Sequence, residues 1–243
     1  MEKIRFFEEI AANGHVALNV MQYDGWLMRF SEGYTGRANS VSVLYPSYRD
    51  ISEKIAYCEE CYEKQGLPCI FKLTDADMEL SSLLSDRGYK VVTPTDVKVL
   101  SLDGNAFGYD DGCIFSGEPW EWLPSYFEFE GITDTNKQDI YKRMLAKVVP
   151  PTIYCTVMYE GVPAACASAV IERGYMLLQN VVVRPGLRGK GLGRRLCSAV
   201  IAKAYEQGAD YSYLQVVQDN TAAVALYDKL GFEKIYSYWY MKK

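Results

Sequence analysis

The sequence VVVRPGLRGKGLGRRL occupies residues 181–196, between a β-branched run and a helix-like segment. Its glycines let the backbone adopt conformations that side chains disfavour, and they let a ligand approach the main chain. The first N–H groups of a helix have no partner within the helix, and the helix dipole favours negative charge at that end. A basic, glycine-rich loop that opens a helix therefore predicts a binding site for a phosphate-type anion.

Two other phosphate-binding motifs do not fit this loop. The P-loop pattern GxxxxGK[ST] is absent, and Leu196 stands where the Rossmann pattern that begins at Gly191 and Gly193 requires a third glycine. The alternative to an anion site is a glycine-rich turn whose basic side chains only cover a solvated surface.

The flanking sequence predicts the elements that carry this loop. Before it, β-branched and aromatic runs are broken at Glu160-Gly161 and Arg173-Gly174, which indicates three successive antiparallel strands. After it, apolar residues at helical spacing predict a helix from about Leu192 to Gln207. The strand YSYLQVV, a helix through AAVALYDKLG and the strand FEKIYSYWYMKK complete an α/β (α+β) pattern.

The first part of the chain repeats this order of elements. YEKQG ending at Gly66 resembles YEQG ending at Gly208, 142 positions later, and LLSDRGY around Gly88 resembles LYDKLGF around Gly231, 143 positions later. A nearly constant offset through two elements predicts a duplicated fold.

The segment between the two copies predicts the domain boundary. Residues from Asp103 to about Pro119 are rich in Gly, Asp and Ser and form the best linker candidate. Two helix-like stretches, PWEWLPSYFEFEG and KQDIYKRMLAKV, then open the second copy. We therefore expect domains at residues 1–112 and 113–243.

Two motifs resemble the GCN5-related N-acetyltransferase (GNAT) family. Arg188, Gly191 and Gly193 fill that family's acyl-CoA-binding pattern [Q/R]-x-x-G-x-[G/A]. NTAAVALYDKLGF resembles the family's later motif, with Asn220 and Tyr227 at matching places. The resemblance covers residues 150–243, and residues 1–112 resemble a degenerate second copy, as in tandem GNAT proteins. It implies two GNAT-like domains, each a mixed, mostly antiparallel sheet flanked by helices.

The resemblance also implies roles for individual residues. The loop would hold the pyrophosphate of coenzyme A, the strand end would pair with the pantetheine arm, and the N–H of Val182 or Val183 would polarise the thioester carbonyl. Asn220 would contact the pantetheine arm or its loop, and Tyr227 would protonate the leaving thiolate; the alternative for Tyr227 is a core aromatic. The predicted catalytic residues are Tyr227 and Val182, and the predicted cofactor-binding residues are Val181, Val182, Val183, Arg188, Gly189, Lys190, Gly191, Leu192, Gly193, Arg194 and Asn220.

The sequence departs from the family at the general base. Many members carry a Glu on the strand before the loop, where this chain has Gln179 and Asn180. Glu172 and Glu160 remain as bases acting through water, since an amine must lose a proton before it attacks.

The first copy lacks both motifs. Its stretch aligned with the loop reads LYPSYRD, and Leu84 takes the place of Tyr227. We expect this copy to pack on the catalytic domain without binding acyl-CoA. Four of its polar and aromatic residues are candidates for the lining of an acceptor cleft, although ordinary strand and turn roles are favoured for them: Trp26, Arg29, Arg37 and Asn39.

Composition narrows the functional classes further. The 243 residues carry a formal net charge of -5, which disfavours nucleic acid as a partner. The single histidine, His15, disfavours histidine-based metal and triad sites. Seven cysteines, an odd number, and one CxxC pair at Cys58 and Cys61 favour reduced thiols over a metal or redox site. No apolar run is long enough to span a membrane, so we expect a cytoplasmic protein.

Together these observations predict an acyl-CoA-dependent N-acyltransferase. The expected donor is acetyl-CoA, the expected acceptor is a primary amine that attacks directly in a ternary complex, and no metal is expected. The acidic balance is compatible with a polyamine or an aminoglycoside as acceptor. The alternatives are a non-catalytic acyl-CoA sensor or scaffold, and an O-acyl or longer-chain acyltransferase.

Overall fold

A computed structural model describes residues 2–103 and 107–243. The described first part contains, in chain order, α1 Glu2–Gly14, β1 Asn19–Tyr23, β2 Trp26–Phe30, β3 Val41–Val43, α2 Ile51–Lys64, β4 Ile70–Thr74, α3 Met78–Asp86 and β5 Lys90–Ser101. The second part contains β6 Cys113–Ser116, α4 Leu123–Glu130, α5 Thr135–Leu145, β7 Thr152–Tyr159, β8 Val162–Glu172, β9 Tyr175–Val183, α6 Leu192–Glu206, β10 Tyr211–Val217, α7 Thr221–Lys229 and β11 Glu233–Lys242.

All eleven of these strands join one sheet in the order β1-β2-β3-β4-β11-β5-β10-β9-β8-β7-β6. Only two neighbouring pairs in it are parallel, β3 with β4 and β9 with β10. The mixed, mostly antiparallel sheet flanked by helices is the predicted fold class, which is thereby confirmed.

The last strand of each half lies beside the other half. β11 ends the chain but pairs with β4, and β5 ends the first half but pairs with β10. β5 and β11 also pair with each other over residues 90–99 and 233–242. This exchange makes the sheet continuous across the expected boundary at residue 112, and the division into domains 1–112 and 113–243 stays a prediction.

Helix α6 forms where an apolar face meets the sheet. Leu196, Cys197, Val200 and Ala204 are fully buried at helical spacing and pack in one core with β7, β8 and β9. Burying a side chain of the size of Leu196 or Val200 contributes about 1.5–3 kcal/mol. The helix therefore holds the loop before it at a fixed place on the sheet.

Helix α1 covers the junction between the two halves. Phe7 and Ile10 are buried against Tyr213 of β10 and Tyr236 of β11. Glu8 accepts a hydrogen bond from the Tyr236 hydroxyl at 2.9 Å and pairs with the buried Lys72 of β4. These contacts bring the end of α1, where His15 follows, up to the centre of the sheet.

Part of the predicted linker is regular structure. β6 lies inside the segment from Asp103 to Pro119 and pairs with β7, after a turn in which Asp110 accepts from the Gly112 N–H. The sequence predicted a linker here because turn-forming residues surround this short strand on both sides. Residues 104–106 of that segment lie outside the described residues. In the part of the chain that the structure describes, no helix is long and apolar enough to cross a membrane.

Helix α2 occupies the place in the first half that α6 occupies in the second, but it begins differently. The Asp50 carboxylate accepts from the N–H groups of Ser52 and Glu53 at 2.8 and 3.1 Å. A carboxylate of the chain thus sits where an anionic ligand would bind a helix N-terminus.

Replacing this cap tests its contribution to stability. Asp50→Ala is expected to lower the free energy of unfolding by about 1 kcal/mol, which lowers the melting temperature by about 2–4 °C. Asp86→Ala, an exposed position at the end of α3, is the control and is expected to change stability by under about 0.5 kcal/mol. Equal melting temperatures for Asp50→Ala and the wild type would contradict the capping role.

Candidate active site

The candidate site is a cleft where β9 and β10 separate. The two strands pair only from Tyr175 to Leu177 and from Tyr211 to Tyr213, and beyond those residues they diverge. The opening holds a cavity of about 310 Å³. It is lined by His15, Arg37, Tyr126, Glu130, Leu177, Leu178, Gln179, Asn180, Val181, Gln215, Val216, Val217, Asn220, Ala223 and Tyr227.

A bulge in β9 shapes one wall of the cleft. Asn180 adopts a φ of 56°, and the pairing with β8 shifts register between Gln179 and Val182. The Asn180 side chain donates to the Ser168 hydroxyl at 2.7 Å, which holds the bulge. An extra residue in one strand re-aims the groups around it.

The three valines after the bulge lie at the cleft edge of β9. Val182 is 6% exposed and its side chain packs against Trp122 and Tyr126, whereas Val181 lines the cavity. On the β8 side Val182 and Val183 pair with the neighbouring strand, and the other edge has already left β10. That edge can accept an extended ligand as an added strand.

The basic loop follows directly and ends at the start of α6. Gly189 and Gly191 have φ of 80° and 77°, a conformation that other residues rarely adopt. The first helical hydrogen bond runs from the Arg195 N–H to the Gly191 carbonyl, so the N–H groups of Leu192, Gly193 and Arg194 precede it. Arg188, Lys190 and Arg194 are exposed around these donors.

Gly193 brings the loop against α7, which carries Tyr227. A Cβ at Gly193 would lie 3.3 Å from Leu226 and 3.7 Å from Val183, so a larger residue would push the helix start off its neighbours. Leu192 is 3% exposed and anchors the same turn in the core. The predicted loop and tyrosine therefore lie on adjoining elements.

Tyr227 and Asn220 both line the cavity from α7. Tyr227 is 8% exposed, contacts Phe232 and packs in the core beside Cys197. Burial raises the pKa of its phenol, which keeps the proton on the oxygen at neutral pH. The Asn220 side chain caps α7 by accepting from the Ala223 N–H at 3.2 Å.

Other basic residues near the loop have protein partners. Arg195 pairs with Asp110 and donates to the Met158 carbonyl at 2.9 Å. Arg184 pairs with Glu128 at 2.6 Å. Arg195 thus connects α6 to β7, and Arg184 connects the start of the loop to α4.

Three lining residues that carry chemistry have no catalytic role predicted from the sequence, and only Arg37 among them is a predicted candidate for the lining. Glu130, the last residue of α4, faces the cleft, and partial burial raises the pKa of its carboxyl. Arg37 comes from the turn before β3, and His15 from the end of α1. No local motif marks them, since the fold assembles them from three separated segments.

The two carboxylates considered as bases lie elsewhere. Glu172 ends β8, where it accepts from Asn13 at 3.0 Å and pairs with Arg173. Glu160 occupies the turn between β7 and β8 with a φ of 52°. Neither lines the cavity between β9 and β10.

Of the four first-half residues considered as cleft lining, three lie away from the cleft and one lines it. Trp26 is buried in the core, and Asn39 is buried in the turn before β3. Arg29 is buried below the cleft and donates to the carbonyls of His15 and Arg37, and only Arg37 among the four lines the cleft. The favoured strand and turn roles describe three of them.

The cysteines and acidic residues do not gather into a metal site in the described part of the chain. No group of three or more His, Cys, Asp or Glu side chains there has the arrangement to hold a metal ion. All seven cysteines are free thiols. Burial raises the pKa of Cys197, beside Tyr227, to about 12.

Several known proteins are similar to this chain in sequence or in fold. The family described as "Probable histone acetyltransferase Rv0428c C-terminal" matches residues 2–241. YobR of Bacillus subtilis, described as an uncharacterized N-acetyltransferase, is 30% identical over 256 residues, with 100% of both chains covered. A GCN5-related N-acetyltransferase from Kribbella flavida superposes with a TM-score of 0.71 at 16% identity, covering 97% of this chain and 95% of that one. A tandem GNAT protein from the clavulanic acid biosynthesis pathway gives a TM-score of 0.65 at 15% identity, covering 84% and 74%.

The family match over residues 2–241 and the full-length similarity to YobR show that the protein is an acetyltransferase. The two solved structures have the same fold. The chain belongs to the GCN5-related N-acetyltransferase family.

Proposed function

We propose that this protein transfers the acetyl group of acetyl-CoA to a primary amine by direct attack in a ternary complex. The observation that carries the proposal is the cleft between the diverging β9 and β10, with the glycine-rich start of α6 at its edge and Tyr227 in its wall. A long, anionic thioester needs these three features in this order: an anion site, an open strand edge and a proton donor.

The donor would lie along the second half of the sheet. The N–H groups of Leu192, Gly193 and Arg194 would bind its pyrophosphate, with the charges of Arg188 and Lys190 beside them. The edge of β9 from Val181 to Val183 would hold its extended arm through main-chain hydrogen bonds. The Val183 N–H would then stabilise negative charge on the carbonyl oxygen, a contribution of about 2.7–4 kcal/mol per donor. The Arg184 N–H donates to the Ala164 carbonyl on β8, so strand alternation turns the Val182 N–H toward β8 and the Val183 N–H toward the open edge.

The chemical step moves two protons. A neutral amine attacks the thioester carbonyl carbon, a C–N bond forms and the C–S bond breaks. Tyr227 gives its phenolic proton to the leaving sulfur, since its phenol carries the proton at neutral pH. The nitrogen loses one proton to a base, and the phenol is restored from solvent.

Glu130 is the base we assign to the amine. Its carboxylate lines the same cavity as Tyr227, and partial desolvation there raises its pKa above the ordinary value, which makes it a stronger base. His15 suits the role less, because burial, with the nearby Arg37 and Arg29 cations, lowers its pKa to about 3.

The pH dependence of one variant tests this assignment. Glu130→Gln is expected to lower kcat/KM by about tenfold at high pH and by less at low pH, where Glu130 is itself protonated. The ratio of wild type to variant removes the titration of the acceptor amine, which is common to both. Glu121→Gln, an exposed glutamate shortly before α4 that does not line the cavity, is the matched control. A ratio that stays constant with pH would contradict the base role.

Release of CoA from acetyl-CoA with a panel of primary amines tests the activity itself. The expected result is release that depends on the amine, with one acetylated amine formed per CoA. Binding of acetyl-CoA without amine-dependent release would instead indicate a sensor or scaffold. Preference for hydroxyl acceptors, or for longer acyl donors, would indicate an O-acyl or longer-chain transferase.

A further inference from the structure

The floor of the cleft carries a cation from the first half of the chain. Arg37 lies in the turn before β3, and Asn39 holds this turn by accepting from the N–H groups of Ser31 and Gly33 at 2.7 and 3.0 Å. Arg29 donates to the Arg37 carbonyl from below. The guanidinium thus reaches the cavity from a rigid support.

The charge of Arg37 has no counter-ion in the described part of the chain. Its Nε donates to Gln215 Oε1 at 3.1 Å and to the Tyr238 hydroxyl at 3.3 Å, both neutral groups. An arginine guanidinium is not deprotonated in proteins, so the side chain stays charged. The buried lysines, by contrast, each meet a carboxylate: Lys54 meets Asp24, Lys72 meets Glu8 and Lys98 meets Asp228.

Even a half-buried cation such as Arg37 loses part of its hydration, and an anionic ligand would compensate for that loss. The terminal nitrogens of a guanidinium form a planar fork that matches a carboxylate in two parallel hydrogen bonds. Because Nε is already occupied by Gln215 and Tyr238, the terminal nitrogens are the donors left for the cleft.

His15 is a second unsatisfied group in the same cavity. Its Nε2 is buried and has no hydrogen-bond partner within the described residues, while Gln179 lies within hydrogen-bonding reach of the ring. The imidazole is neutral, so a protonated Nε2 would donate one hydrogen bond without adding charge. A carboxylate on Arg37 would give this orphaned atom an acceptor.

We infer that the acceptor is a small amino carboxylic acid, whose carboxylate binds Arg37 and His15 while its amine faces Glu130 and Tyr227. The inference rests on the proposed acetyl transfer to an amine. The two ends of such a molecule carry opposite charges, as do Arg37 and Glu130 in the cavity wall. The net charge of -5 is compatible with a polycationic acceptor, but the positive charge of Arg37 at the cleft floor favours an acceptor that carries a carboxylate.

Matched acceptors test the inference on the wild-type protein. Initial rates are measured with a panel of free α-amino acids, the corresponding amino acid amides and the corresponding alkylamines. An amide would lack the charged hydrogen bond that a carboxylate makes with Arg37. The acids are therefore expected to exceed their amides in kcat/KM by about 10- to 50-fold, mostly through KM.

Variants then locate the preference. Arg37→Met is expected to lower kcat/KM for the acids to about the level of the amides, while the amides and the Kd for acetyl-CoA change little. Arg37→Lys keeps the charge without the fork and is expected to fall between them. Arg87→Met, an exposed arginine after α3, is the matched control.

The outcomes separate this inference from the proposed function. If no amine of any kind is acetylated, the proposed function fails and the inference fails with it. If amides or alkylamines are acetylated as well as the acids are, acetyl transfer stands and the carboxylate site is overturned. The wild-type comparison decides this even where Arg37→Met does not fold.

Discussion

Tyr227→Phe is expected to lower kcat for acetyl transfer by about 10²- to 10³-fold, which lies within the range of about 10²- to 10⁴-fold that general acid catalysis contributes. The phenol lies in the cleft wall, and burial raises its pKa, so it holds the proton that the departing sulfur needs. Phenylalanine keeps the ring that packs against Phe232 and removes only the donor. The Kd for acetyl-CoA is therefore expected to stay within about threefold of the wild type.

Tyr205→Phe provides the control for this substitution. Tyr205 lies on α6 and is 55% exposed, outside the residues that line the cleft. It is expected to retain wild-type kcat. Unchanged kcat in Tyr227→Phe would contradict the acid role and leave Tyr227 as a core aromatic, the alternative that its pattern also allowed.

Gly191→Asp is expected to weaken acetyl-CoA binding by about 100-fold, since it places a carboxylate at the helix start that would bind pyrophosphate. The first half shows the same device, with the Asp50 carboxylate accepting from the N–H groups that open α2. The substitution thus places at the N-terminus of α6 a negative charge like the one that Asp50 places at the N-terminus of α2. Asp is also among the few residues that tolerate the φ of 77° at this position.

Gly191→Asn separates charge from shape. Asn has nearly the same size and tolerates the same backbone conformation, but it is neutral. Isothermal titration with acetyl-CoA is expected to give a loss of affinity of at most about tenfold for Gly191→Asn, well below that for Gly191→Asp. Equal losses for the two variants would indicate that only the backbone, and not an anion site, had been disturbed.

Local signals account for what the sequence predicted well. The loop before α6 is recognisable because its glycines, its charges and the apolar period of the helix all lie within residues 181–207. The three strands before it are separated by tight turns at Gly161 and Gly174, both with positive φ. Each of these features depends on neighbours in the sequence.

The exchange of β5 and β11 depends instead on distant partners. An alternating strand pattern does not say whether β11 pairs with β4 or with β10, because both would bury one face. The short strand β6 was not predicted for a related reason, because only its pairing with β7 distinguishes it from the turn residues around it.

The acceptor end of the cleft was the least predictable part. His15, Arg37 and Glu130 come from the end of α1, a turn before β3 and the end of α4. The sequence favours an ordinary turn role for Arg37. That its described partners are the neutral Gln215 and the Tyr238 hydroxyl, with no carboxylate, is visible only in the folded chain. Assembly from remote segments leaves no motif in the sequence.

Hydrogen exchange of the backbone amides, with and without saturating acetyl-CoA, tests most directly where the donor binds. The anion site at the start of α6 and the open edge of β9 predict protection of residues 181–183 and 188–194, with residues 44–52 before α2 unchanged. Protection of residues 44–52, or unchanged exchange at residues 188–194 in the bound protein, would contradict the assignment of donor binding to the second half.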